Sequence, residues 1–212
     1  MFYKETVEPA TLGLLKDLMH ITELDQFRLV GGTALSLLLG HRKSIDLDLF
    51  TDQPFDRDII VEKLHANFQN ASFKEKKSER LFFTTINDVK VDFVHTFEPF
   101  NEPHETIENI RFASLPEIIA LKLNAVSGRG AKKDFWDLHE LLNHYSFEQM
   151  ISFYHEHYPQ NSSMMIIKSI TYFAEADGDL DPDTLKKVSW EQIKKDILTK
   201  FNLYIKSNRN KN

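Results

Sequence analysis

Two aspartates one residue apart, Asp46 and Asp48, stand between apolar neighbours in the run Ile45-Asp46-Leu47-Asp48-Leu49-Phe50. In an extended strand, residues two apart point the same way, so both carboxylates share one face while Leu47 and Leu49 enter a core. Carboxylates that close repel one another unless a cation lies between them. Upstream is Val30-Gly31-Gly32-Thr33, leading into an apolar stretch with Ala34, Leu35, Leu38 and Leu39. Gly31 and Gly32 let the backbone approach a ligand closely, and Thr33 sits where a helix begins. A helix N-terminus preceded by glycines is an anion site. Each piece alone is common, as an ordinary strand-to-helix turn or an exposed Asp-x-Asp. Together, in this order, they describe phosphates held opposite a metal site.

A third carboxylate, Asp92, lies in Lys90-Val91-Asp92-Phe93-Val94. An aspartate in a half-buried strand needs a partner or a cation. Three carboxylates on neighbouring strands suit two Mg²⁺ ions, since hard oxygen ligands fit that ion and a pair of ions clamps both sides of an in-line displacement. The physics of phosphoryl transfer then sets the expected roles. Asp46 and Asp48 hold ions that bridge a triphosphate, and Gly32 and Thr33 donate hydrogen bonds to its outer phosphates. Asp92 binds the second ion and accepts the proton of the attacking hydroxyl. Arg42 either approaches the same phosphates or is a surface arginine ending a helix; the residues alone leave both open.

The hydrophobic-Gly-Gly-Thr, helix, Asp-hydrophobic-Asp-hydrophobic order resembles the nucleotidyltransferase superfamily related to DNA polymerase beta. The fuller string Gly-Gly-Thr-Ala-Leu, with Arg42, Ser44, Asp46, Asp48, Leu49 and Phe50, is similar to its AbiEii/AbiGii toxin branch. A second block supports the resemblance: Lys122-Leu-Asn-Ala, a basic glycine-containing loop, then Lys133-Asp134-Phe-Trp-Asp137-Leu138. Read from the residues alone, Lys122 snorkels to solvent and Arg129, Lys132 and Lys133 decorate a loop. The resemblance implies instead that Lys122 and Asp134 belong to the active site, with Lys122 also binding nucleotide beside Gly31, Gly32, Thr33 and Arg42. Lys133 stands where arginine is common, which keeps the charge and loses bidentate geometry. The likeness runs over about residues 12–200 and closes on Ala174-Glu175-Ala176-Asp177 and Val188-Ser189-Trp190-Glu191.

The resemblance implies transfer of a nucleoside monophosphate from an NTP to an acceptor hydroxyl, with Mg²⁺ or Mn²⁺ as cofactor. It further implies the toxin of a toxin–antitoxin or phage-defence pair, acting in some members on tRNA 3′ ends and restrained by a separately encoded antitoxin. RNA is then the expected acceptor, bound by Arg129, Lys132 and Lys133. Two rivals remain: a small-molecule nucleotidyltransferase of the antibiotic-modifying kind, and a nucleotide-binding regulator without turnover, against which Asp92 argues.

The elements that must position these groups follow from periodicity. Residues 8–22 carry Leu12, Leu15, Leu18 and Met19 at helical spacing, Phe27–Val30 and Ile45–Phe50 read as strands, and 33–40 as a helix. A helix follows through Ile59, Ile60, Leu64 and Phe68, then strands over about 71–76, 80–86 and 89–95, the last two joined at Asn87-Asp88. From Ser114 the period changes from two to about 3.6. Ser114-Leu115-Pro116-Glu117 has capping-box spacing before a helix through Ile118, Leu121 and Ala125. Further helices are expected through Phe135–Leu142 and near 147–157, 162–175 and 189–204. The expected fold class is α/β (α+β), with a small mixed, twisted sheet flanked by helices over 1–112 and a C-terminal helical bundle over 113–212; the resemblance implies that this is a nucleotidyltransferase fold whose bundle completes a nucleotide cleft.

The 212 residues, 42% of them hydrophobic, suffice for a sizeable core. The longest apolar run, Ala34 to Leu39, is too short to span a bilayer, and Met1-Phe2-Tyr3-Lys4-Glu5 is no signal peptide, so no membrane association and a cytoplasmic location are expected. The absence of cysteine excludes disulfides and thiolate chemistry. A net charge of −6 argues against nonspecific coating of nucleic acid but leaves room for a local patch, at the 129–133 loop or around Lys74, Lys76, Lys77 and Arg80. Asp177–Asp183 lacks the spacing of a calcium loop and reads as an acidic turn, and His155-Glu156-His157 reads as surface.

Overall fold

The computed structural model describes residues 2–74 and 78–209. The chain divides between Ser114 and Leu115 into two compact units.

The N-terminal unit is built on a seven-stranded mixed sheet. Helix α1 (Pro9–Met19), with proline in its first turn, buries Leu14, Leu15, Leu18 and Met19. Strand β1 (Arg28–Val30) runs into α2 (Gly31–Leu39), which starts two residues earlier than the apolar spacing suggests. After α2 come β2 (Leu47–Thr51) and α3 (Arg57–Asn67), whose first turn is capped by the Asp56 carboxylate. Then follow β3 (Ala71–Phe73), β4 (Leu81–Ile86), β5 (Val89–His95), β6 (Glu105–Ile107) and β7 (Ile110–Phe112). The spatial order is β3-β4-β5-β2-β1-β7-β6. Strand β2 pairs antiparallel with β1 and parallel with β5, so the middle of the sheet joins the two acidic segments directly.

Alternation along β2 holds: Leu47, Leu49 and Thr51 are buried while Asp48 and Phe50 are partly exposed. Ile45 and Asp46 lie before the strand, and Ile45 is exposed, so the regular pairing begins later than expected. The core beneath is aromatic, with Phe82 stacked on both Phe73 and Phe93 at 5.7 and 5.6 Å and Phe27 edge-on to Phe93. Asn87 and Asp88 both take positive φ, the two-residue hairpin geometry whose twist matches its strands. Glu108 and Asn109 do the same between β6 and β7, a hairpin the sequence did not announce. Part of the expected 71–76 strand, with Lys76 and Lys77 of the first basic cluster, lies outside the described residues.

The C-terminal unit is helical: α4 (Leu115–Gly128), α5 (Lys132–Leu141), α6 (Phe147–His157), α7 (Met164–Ser169) and α8 (Trp190–Arg209). Ser146 and Gln149 form the reciprocal capping box of α6. The helix expected over 162–175 is only the short α7, and α8 runs to Arg209, past the expected end near 204. His157 is buried, not at the surface. No helix among the described residues is long and apolar enough to cross a membrane.

Candidate active site in the N-terminal unit

The glycine turn and the aspartates are locked together by backbone register. Val30 pairs with Asp48 across the β1–β2 ladder, so Gly31, the next residue, lies beside the Asp48 side chain. Gly31 has φ +72°, the left-handed region, and a Cβ built there would overlap the Asp48 Oδ2 and come within 2.9 Å of Cγ. Glycine is therefore required twice at this position, for conformation and for space. At Gly32 a Cβ would overlap Nη2 of Arg42 and stand 3.3 Å from its Cζ. Arg42 is buried, not a surface arginine, and its guanidinium lies on the first turn of α2, where Nη1 donates to the Lys43 carbonyl at 2.9 Å. Val30 at the N-cap supplies no side-chain cap to that turn, an arrangement suited to an incoming anion.

Thr33 is fully buried. Its hydroxyl donates to the Asp46 carbonyl and lies 2.8 Å from the Ser44 hydroxyl. Ser44 N in turn donates to the Thr6 carbonyl. Thr33 thus fixes the segment that delivers Asp46, a task different from the phosphate contact expected of it.

Asp92 is directly opposite Asp48 in the parallel β2–β5 ladder. Register partners point to the same face of a sheet, so the third carboxylate shares the face of the second. It is 8% exposed, and its Oδ1 is buried without a hydrogen-bond partner. Its Oδ2 receives the Lys90 ammonium at 2.5 Å. Burial pushes the Lys90 ammonium down, but the Asp92 hydrogen bond and the charges of Asp92, Asp46 and Asp48 outweigh it and hold the ammonium above its ordinary value. Sequence reasoning missed Lys90, although its position two residues before Asp92 on one strand face was a usable signal. No group of three His, Asp or Glu side chains among the described residues is gathered tightly enough to hold a metal ion as it stands.

In the C-terminal unit, α4 and α5 bring Lys122, Asp134 and Asp137 together in the interior. The Lys122 Nζ lies 2.9 Å from Asp134 Oδ1 and 2.7 Å from Asp137 Oδ2, with all three side chains at most 5% exposed. Lys122 does not snorkel. Arg129, at the surface, adds Nε and Nη2 hydrogen bonds to Asp134 at 2.9 and 3.2 Å. Burial raises the Asp134 pKa, yet the Lys122 and Arg129 charges and hydrogen bonds leave it below the usual carboxylate value. Lys132 departs from the expected basic patch: it is 5% exposed, with its ammonium on the Asp179 carbonyl and 3.1 Å from Asp181 Oδ1. Its backbone N–H donates to Asp179 Oδ2, so the acidic turn staples the start of α5. Arg129 and Lys133 remain exposed.

A family model described as "Nucleotidyl transferase AbiEii toxin, Type IV TA system" matches residues 13–205. The chain belongs to this family. AbiEii-type membership makes it a nucleotidyltransferase. An uncharacterised protein of Aquifex aeolicus (strain VF5) is 27% identical over 199 residues, spanning 91% of this chain and 95% of that one. MenT4, a nucleotidyltransferase toxin of Mycobacterium tuberculosis H37Rv, superposes with a TM-score of 0.64 at 15% identity over 91% of this AbiEii-family chain and 80% of its own. JHP933 of Helicobacter pylori gives 0.58 at 18% identity over 97% and 96%. These likenesses establish a nucleotidyltransferase fold.

Proposed function

We propose that the protein transfers a nucleoside monophosphate from an NTP to an acceptor hydroxyl on RNA, tRNA included, as the toxin of a type IV toxin–antitoxin pair. The observation that carries the reading is the juxtaposition of Gly31, Asp48 and Asp92, set by two strand ladders and by the missing Cβ at Gly31. The residues fit a hard divalent cation: the donors are carboxylate oxygens, and Asp92 Oδ1 is a buried acceptor with nothing bonded to it. Asp46, Asp48 and Asp92 would hold Mg²⁺ or Mn²⁺, which when bound supplies charge neutralisation to the triphosphate and the departing pyrophosphate.

The chain's own groups do the rest. The uncapped first turn of α2 and the Arg42 guanidinium receive phosphate oxygens, and Thr33 keeps Asp46 in place from behind. The acceptor oxygen attacks the α-phosphorus, the bond to the β-phosphate oxygen breaks, pyrophosphate leaves, and Asp92 takes the hydroxyl proton. Lys122 and Asp134 enter through the second block of the family resemblance, and their 2.9 Å ion pair makes them one unit. The exposed cations Arg129 and Lys133 support a polyanionic acceptor.

The test is incubation with each α-labelled NTP, Mg²⁺ or Mn²⁺ and total cellular RNA, followed by gel separation, with Asp48→Asn as control. Labelled RNA that disappears in the control is the expected result. Efficient labelling of an aminoglycoside or a protein with RNA left unlabelled would overturn the acceptor assignment.

A further inference from the structure

We propose that Lys90 is the resident counter-ion of Asp92, and that its ammonium must swing out before a divalent cation can enter beside Asp92. The inference rests on the metal-binding reading of those carboxylates given above. Lys90 and Asp92 are two residues apart on β5 and so share a face, and the ammonium lies 2.5 Å from Asp92 Oδ2 within the electrostatic reach of Asp46 and Asp48. Its one positive charge lies directly on Asp92, with Asp46 and Asp48 acting on it at longer range. It satisfies a single oxygen of Asp92 and leaves Oδ1 without a partner.

Lys90 is also built to leave. Its side chain is 44% exposed while that of Asp92 is 11% exposed, so the head rests on the Asp92 carboxylate and much of the chain is already in water. Withdrawal needs rotamer changes in a flexible stem and no backbone movement. The contrast is Lys122, 5% exposed and shared by two buried carboxylates, which has no such route out. In the absence of ligand, Lys90 stabilises the acidic cluster. When a cation arrives, the same charge opposes it, so the free protein holds metal weakly until the triphosphate brings compensating negative charge.

The two roles predict effects of opposite sign, which no purely structural lysine would produce. Mn²⁺ binding to the full chain without NTP is measured by calorimetry for wild type, Lys90→Gln and Lys90→Arg, with thermal melts at zero and saturating Mn²⁺. Lys90→Gln should melt lower than wild type without metal, bind Mn²⁺ roughly tenfold more tightly, a difference of about 1.4 kcal/mol, and gain more in melting temperature on metal addition. Lys90→Arg, which keeps the charge, should stay within about twofold of wild type in Mn²⁺ affinity. Equal or weaker Mn²⁺ binding by Lys90→Gln overturns the inference. If neither wild type nor Lys90→Gln binds Mn²⁺ at millimolar concentration, the metal reading of the three carboxylates falls instead.

Discussion

Replacing Gly31 by alanine isolates the close approach between the turn and Asp48. Alanine at φ +72° costs about 1–2 kcal/mol for the left-handed conformation. The new methyl also overlaps the Asp48 carboxylate, which must leave its rotamer at about 0.5–1.5 kcal/mol. Reduced freedom of the unfolded chain returns about 0.4–1 kcal/mol, leaving a net loss near 2 kcal/mol. For a chain of this size that lowers the melting temperature by roughly 4–8 °C. Activity should suffer more than stability, because a misplacement of about 1 Å at a reacting centre costs roughly 100-fold. Gly13→Ala is the matched control: it lies in α1 with nothing within 4 Å of the added Cβ, and should stabilise by about 0.5–1 kcal/mol with labelling unchanged. Melting curves and α-labelled transfer on both variants decide the matter. A Gly31→Ala protein that melts within about 1 °C of wild type and keeps more than half its transfer rate would refute the close-approach argument.

The buried ion cluster yields a second expectation: Lys122→Met strands Asp134 and Asp137 without their shared cation and should destabilise the protein by about 3–5 kcal/mol in urea titrations. Because the folded Asp134 pKa is depressed, its stabilisation is present above the unfolded value of 3.8 and is lost as pH falls through the folded value. Acid unfolding of Asp134→Asn should accordingly be less steep below about pH 4 than that of wild type. Asp179→Ala removes the acceptor at the start of α5 and should cost about 1–2 kcal/mol by thermal melting, while RNA labelling per folded molecule stays unchanged. Lys133→Glu should reduce RNA labelling per folded molecule, and raising salt should weaken the wild-type reaction with a slope of only a few phosphates.

Where the sequence spoke through side chains of opposite character on alternating positions, it was legible. The apolar flanks of Asp48 and Asp92 announced β2 and β5, and the ladder that places those residues opposite one another is what the fold adds. What it could not convey was set by tertiary partners. Lys132 looks like any loop lysine until Asp179 and Asp181 close over it, and the Thr33 hydroxyl looks available until the returning chain puts the Asp46 carbonyl beside it. Strands β6 and β7 escaped because each is three residues long and joined by Glu108-Asn109 without glycine. Lys90 was read only as a flank of Asp92, although its place two residues earlier on the same strand face put it within reach of that carboxylate.

The tether from Thr33 to Asp46 spans only thirteen residues of chain, and Val30 meets Asp48 through a hairpin-like antiparallel contact with α2 between its arms. Closing so short a loop is cheap in entropy and fast. Strand β5, which brings Asp92, pairs with β2 only after α3, β3 and β4 have been made. During synthesis from the N-terminus, the glycine turn and two aspartates can therefore assemble on a nascent chain that still lacks Asp92, the proton acceptor of the proposed mechanism. On the proposed mechanism, transfer becomes possible only once translation has passed β5, a delay written into the order of the strands.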